Sequence, residues 1–295
     1  MKMLVLEYTG EYGIEVATFV PFIHYLKQSG VPSLKVITYK GMAPYYYFLE
    51  DYELGFKDQC RYWIAPDFRM FLPPHIRNDD KLFKESSHTH THPHPPPMMS
   101  PPNFYEKYVK YPRLFQDDKP IFVIQNKYNS EWGGPPRNFF DLDNLVEIIE
   151  KLKKRFTIVY IRSNDIRMNE YSHDDNEEMS IQLFDKELIH EKYRNDVLLY
   201  EDLLRQYVNY DFNTLKCILL SQATYTLSTI GGFNFFDAYF PCRHIIYKRD
   251  TPEIYDKTFY QNQHNMLCPT PNDIQLVEDK AGLLSLLVSL GLSNP

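Results

Sequence analysis

Apolar residues fall in short blocks along the chain, and the spacing within each block predicts its element. "MKMLVLEY" is a compact apolar run and predicts a first strand. "TGEYG" interrupts it with two glycines. "IEVATFVPFIHYLKQSG" then places apolar residues at helical spacing and stops at Gly30, as a helix C-terminus does. "SLKVITYKG" predicts a second strand closed by Gly41, and "APYYYFLEDY" another helix. From about residue 65 to 113 the pattern dissolves into a loop-type composition, with prolines and histidines crowded in "SSHTHTHPHPPPMMSPP".

Order resumes at "KPIFVIQNKYN", a buried strand. A loop "SEWGGPPRNFF", a helix "DLDNLVEIIEKLKKRF" and a strand "TIVYIRSN" follow. Residues 164–195 read as polar and irregular. "VLLYEDLL" predicts a strand running into a helix, "NTLKCILLSQA" a helix, "TYTLST" a strand, "NFFDAYF" a helix and "HIIYKR" a strand. A polar segment and a closing amphipathic helix, "VEDKAGLLSLLVSLGL", complete the chain. Alternation of strand and helix in both halves implies an α/β fold with parallel sheets. The expected division is a domain over residues 1–114, with a His/Pro-rich loop at 86–102, and a second over 115–295.

Composition narrows the function. The 295 residues carry a net charge of −7, which argues against nucleic acid as a partner. Tyr (24) and Phe (20) are abundant, and aromatic side chains line sugar and base pockets as well as cores. Four cysteines, Cys60, Cys217, Cys242 and Cys268, form no CxxC pair, so neither a zinc site nor a disulfide framework is expected. The amino-terminal apolar run is short for a signal peptide, and no stretch of 18 apolar residues spans a membrane. A cytoplasmic location is the expectation.

In an open parallel sheet, ligands sit beyond the carboxyl ends of the strands. Three strand-to-helix turns carry suitable residues. In "TGEYGIE", Gly10 and Gly13 precede a helix, with Glu11 and Glu15 beside them as candidate general bases. The plainer reading is a tight turn with acidic residues favoured by the helix dipole. In "VIQNKYNSEWGGPPRNF", Asn126, Lys127, Tyr128 and Asn129 follow a buried strand. Lys127 and Arg137 suit a diphosphate, and Trp132 suits a sugar or a base. A surface loop around one buried tryptophan is the alternative. In "YTLSTIGGFNFF", hydroxyls at Ser228 and Thr229 precede Gly231 and Gly232 at a helix start, with Asn234 just inside it.

Other features are set aside. "DLD" at Asp141–Asp143 matches a metal-binding pattern but stands where a helix N-cap belongs. His88, His90, His92 and His94 lie among prolines, and "HDDNEE" at 173–178 reads as a solvated acidic loop. GxSxG, GxxxxGK[ST], HExxH and a complete GxGxxG are all missing, which counts against the hydrolases, NTPases, proteases and NAD enzymes built on them. An epimerase or dehydrogenase would also need a YxxxK pair, which "YEKYVK" does not supply in a credible helix. A capsid protein is disfavoured by the strand–helix alternation. A lectin-like binding module remains a competing class, distinguished by absence of donor hydrolysis.

"GEYGIEVATFVPFIHYL", "KVITYKGMAPYYYFLEDY", "IQNKYNSEWGGPPRNFFDLDNL" and "STIGGFNFFDAYF" together resemble small GT-B-type glycosyltransferases of bacteria and large DNA viruses such as chloroviruses, some with exostosin-like labels that resemble xylosyltransferases. The resemblance implies two Rossmann-like domains facing across a cleft. The carboxyl-terminal domain would hold a nucleotide-sugar donor, UDP-linked first and GDP-linked (fucosyl-type) second. The amino-terminal domain would hold a glycan acceptor near Gly10, Gly13 and His24. It further implies no cofactor and no metal: Lys127, Arg137 and backbone amides at Gly231 and Gly232 would offset the diphosphate charge. Glu15 or Glu11 would deprotonate the acceptor for an inverting displacement, with His24 and Asp67 as weaker candidates.

Overall fold

The computed structural model describes residues 3–8, 10–57, 99–128, 130–131, 134–162, 177–178, 182–249 and 256–292. Among these the chain is a mixed α/β protein with two parallel sheets, the expected class. The smaller sheet has the order β1 (Leu4–Glu7), β2 (Leu34–Tyr39), β3 (Leu54–Lys57). Between β1 and β2 lies one continuous helical path. It opens as α1 (Tyr12–Ile14), widens into a π-helical stretch at Glu15–Phe19 and continues as α2 (Val20–Gln28). Gly30 closes it at φ 74°, a conformation glycine adopts without strain. The predicted helix after β2 is instead two 3-10 turns, Ala43–Tyr46 and Asp51–Glu53. Pro44 is the second residue of the first, and Tyr45 and Tyr46 are fully buried, so tertiary packing sets the path of the segment.

The larger sheet runs β11 (Gln275–Val277), β10 (Arg243–Tyr247), β9 (Tyr225–Thr229), β4 (Ile121–Asn126), β6 (Thr157–Arg162), β8 (Val197–Leu199). Every neighbouring pair in it is parallel. In chain order these six strands take positions 3-2-1-4-5-6, the doubly wound nucleotide-binding order. β4 is buried along its whole length, as a central strand covered on both faces must be. A short antiparallel ribbon, β5 (Ser130–Glu131) with β7 (Glu177–Glu178), stands apart.

The helices are α3 (Phe104–Tyr108), α4 (Leu142–Leu152), α5 (Asp185–Lys192), α6 (Tyr200–Gln206), α7 (Phe212–Gln222), α8 (Gly232–Asp237), α9 (Lys257–Leu267) and α10 (Lys280–Leu292). One core packs α4 and α10 against one face of the large sheet through Leu145, Ile148, Leu283 and Leu287. A second core is continuous from the small sheet, through Tyr45 and Phe104, to Leu215, Phe236 and Phe240 of the large unit. The two units therefore share a buried seam, lined by α1, α3, α7 and α8. No described helix is long and apolar enough to cross a membrane.

Candidate functional site

Chain growth in the large sheet reverses between β4 and β9: β4, β6 and β8 build one way, then β9, β10 and β11 build the other. At such a switch point the connections leave on opposite faces, and a crevice opens at the carboxyl ends of the two strands. Lys127 directly follows β4, and Gly231 and Gly232 follow β9 after a single residue. Each turn is legible in the sequence by itself, and the topology places the two side by side.

Gly231 has φ 156° and ψ −171°, a region effectively reserved for glycine. A methyl group there would lie 3.6 Å from Lys127 Cδ and Nζ, so the lysine stem and ammonium run against the turn. Gly232 has a different reason. A Cβ on it would stand 3.0 Å from Tyr12 Cδ1, and one on Gly13 would stand 3.2 Å from Gly232 Cα and 3.0 Å from Phe235 Cδ2. The paired glycines thus serve two ends: one shapes the turn beside Lys127, and the other lets the amino ends of α1 and α8 touch across the seam.

Several expected ligand groups are engaged in holding this geometry. Asn234 accepts the Gly231 N–H through Oδ1 at 3.0 Å and donates to Ser228 Oγ. Ser228 is 2% exposed and Thr229 4%, and the Ser228 hydroxyl is taken up by Asn234 of α8. Asn126 is fully buried. Its amide accepts the Phe140 N–H at 2.9 Å and donates to the Phe140 carbonyl and to Tyr160 Oη, both at 3.0 Å, which pins the loop that carries Lys127. Arg137 is exposed, and Tyr128 is half-buried with its ring 4.7 Å from that of Phe139. Asn129, Trp132, Asp67 and the histidines of the His/Pro tract lie outside the described residues.

On the amino-terminal side, Gly10 is buried and Glu11 is the N-cap of α1, partly exposed beside Gly13. Glu15 is 0% exposed. Its Oε1 accepts from Tyr46 Oη at 2.7 Å and from Thr38 Oγ1. An enclosed carboxylate held by two hydroxyls braces the π-helical stretch against β2. It does not face solvent as a base expected to meet an acceptor hydroxyl would. His24 sits on α2 with Nδ1 at 2.8 Å from the Ser100 carbonyl and its ring against Phe48, and burial lowers its pKa.

Asp141 caps α4 by accepting the Asn144 N–H at 2.8 Å, as its place before the helix predicts. It also pairs with Arg249 at 2.8 Å. These interactions outweigh partial burial and hold its pKa below the usual carboxylate value. Among the described residues no group of three or more His, Cys, Asp or Glu side chains is arranged to hold a metal. Arg249 was not singled out from sequence. The signal was available: "HIIYKR" ends in a cation just past a strand, the same logic that selected Lys127.

No known family model matches the chain, and no curated protein matches it by sequence. Two solved structures resemble it over nearly its whole length. One is a glycosyl transferase family 9 protein from Veillonella parvula DSM 2008, 8% identical, covering 100% of this chain and 90% of that one, with a TM-score of 0.49. The other is the E. coli heptosyltransferase WaaC with ADP-2-deoxy-2-fluoro heptose, 11% identical, covering 99% and 98%, with a TM-score of 0.46. Likenesses of this order leave the function to be read from the chain's own geometry.

Proposed function

We propose that the chain is a GT-B-type glycosyltransferase that moves a sugar from a nucleoside-diphosphate donor to a glycan hydroxyl in the cytoplasm. The observation that carries this reading is the Lys127 ammonium lying against Gly231 at the β4–β9 switch point. A point charge and a glycine turn with no side chain in the way meet there at the mouth of a doubly wound sheet, which suits a diphosphate. Exposed Arg137 is positioned in the chain to supply a second charge from the same loop. Charge on the departing nucleoside diphosphate is then offset by protein groups, without a metal.

Glu11 is the carboxylate with solvent access beside the α1–α8 contact, so it takes the role of base. It accepts the proton of an acceptor hydroxyl while that oxygen attacks the anomeric carbon, and the nucleoside diphosphate leaves from the opposite face, inverting the centre. Glu15 braces the turn on which Glu11 sits. UDP-xylose is the first donor to try, because the sequence resemblance extends to xylosyltransferase-like members, and GDP-sugars come second.

The deciding experiment is a melting panel of UDP, GDP, ADP, CMP and their sugar conjugates, with and without EDTA. A ligand at 100 times its dissociation constant adds about 2.7 kcal/mol of stability. Stabilisation by one nucleoside diphosphate, unchanged by EDTA and lost in Lys127→Met, is expected. No shift with any nucleotide would overturn the reading.

A further inference from the structure

The loop that follows β4 also reaches across the sheet. β9 lies between β4 and β10, so the contacts of residues 138–141 with the end of β10 form a bridge past the end of β9. Asn138, at φ 49°, accepts the Arg249 N–H at 3.1 Å. Asp141 Oδ2 accepts from Arg249 Nη1 at 2.8 Å. The guanidinium carbon stands 5.5 Å from the centroid of the Phe139 ring, and Tyr128 meets that same ring edge-on. Asn138 is buried, whereas Tyr128, Phe139 and Arg249 each keep exposed surface.

A structural latch between two loops needs only the Asn138 and Asp141 bonds. It does not need two aromatic rings, set edge to face, with a planar cation beside them. This group begins at Tyr128, the residue next to Lys127. The Arg249 guanidinium is held by an ion pair and a ring, and its main chain by Asn138, so little freedom is left to lose on binding. Rings and guanidinium planes stack on any nucleobase, because every base offers a π-face.

We infer that Tyr128, Phe139 and Arg249 form the platform on which the donor's nucleobase stacks, with Lys127 holding the diphosphate. The inference rests on the diphosphate reading of the β4–β9 crevice. A test that separates the two titrates a nucleoside diphosphate, the one selected by melting, and inorganic pyrophosphate into four proteins: the wild type, Phe139→Leu, Arg249→Lys and Lys127→Met. Arg249→Lys keeps the charge beside Asp141 and removes the plane.

The platform variants are expected to lose tenfold or more in affinity for the nucleoside diphosphate while binding pyrophosphate within twofold of wild type. Lys127→Met is expected to lose both ligands. Equal losses of both ligands in the platform variants, or no loss in either, overturn the platform while leaving the crevice reading standing. A wild type that binds neither ligand overturns both. Tyr128→Leu, at the same ring contact, serves if Phe139→Leu does not fold.

Discussion

Lys127 places a charge directly after β4, at the switch point of the large sheet. It is half-buried at the start of a loop whose conformation Asn126 fixes through the Phe140 backbone. Lys127→Met is expected to lower nucleotide affinity at least tenfold, measured by titration calorimetry; equal affinities would remove lysine from the site. His244 shows the opposite case, a titratable residue that serves the core. The Phe240 carbonyl at 3.1 Å makes Nε2 the donor, so Nδ1 accepts from Thr226 Oγ1 at 2.7 Å. His264 is fixed likewise, Nδ1 donating to the Ala238 carbonyl and Nε2 accepting the Asn272 N–H. Burial, and the second imidazole beside it, push His244 down to about 3. A histidine whose folded pKa is depressed leaves the native state fully stable above the unfolded value and weakens it as pH falls below that value. Between about 6.5 and 3 the unfolded chain binds one proton more, which corresponds to at most about 1.4 kcal/mol per pH unit. Urea midpoints from pH 7.5 to 4.5 are expected to fall more steeply in the wild type than in His244→Gln; parallel curves would show that this imidazole does not set the slope.

At the scale of elements, legibility in the sequence followed apolar content. β1, β2, β4, β9 and β10 were readable because each is a short apolar run with a turn signal behind it. The polar helices α5 and α9 were not. Asp185–Lys192 buries few of its residues, and Lys257–Leu267 has its start marked only by Asp256, which accepts the Phe259 N–H. The turns that form the candidate site were legible one at a time. Their adjacency was not, because it depends on the strand order, and so Arg249 and Phe139 were missed along with the bridge they form. Nor does sequence distinguish the roles of the two glycines in "GG". The contact between α1 and α8 does. Gly13→Ala places a methyl group against backbone at 3.2 Å and the Phe235 ring at 3.0 Å, so it must part the two helix ends. Overpacking of this kind costs about 1–3 kcal/mol. Gly13→Ala is accordingly expected to lower both the denaturant midpoint and turnover, whereas Gly30→Ala, where nothing lies within 4 Å, meets only the strain of its positive φ and is expected to leave turnover unchanged. A loss of turnover in Gly30→Ala equal to that in Gly13→Ala would mean that stability, not the α1–α8 contact, limits the enzyme.

For the whole molecule, the seam between the small and large units decides how far they can move independently. It is crossed by a relay in which Tyr12 Oη donates to Tyr45 Oη at 2.9 Å and Tyr45 donates to Asn213 Oδ1 at 2.7 Å. Asn213 Nδ2 donates to the Gly41 carbonyl at 2.8 Å, and Tyr239 Oη to the Val16 carbonyl at 2.6 Å. Beside the relay lies Lys216 of α7, 0% exposed, its ammonium 3.9 Å from the Phe233 ring centroid and within 6 Å of the Tyr12 and Phe236 rings. Desolvation lowers its pKa, with Asp237 opposing; the same burial raises that of Asp237, with Lys216 opposing. Asp237 in turn accepts from Gln125 Nε2 at 2.5 Å. Two desolvated charges that oppose each other's shifts need not add net stability, but removing one strands the other, at a cost of about 3–5 kcal/mol. Lys216→Met alone is therefore expected to be strongly destabilising, and Asp237→Leu in the same background to recover most of the loss, because two apolar side chains can then fill the enclosed space. Denaturant midpoints of the two single variants and the double variant close the cycle. Additive losses would show that Lys216 and Asp237 act separately, and the aromatic cage would then be the whole reason the seam tolerates a buried ammonium.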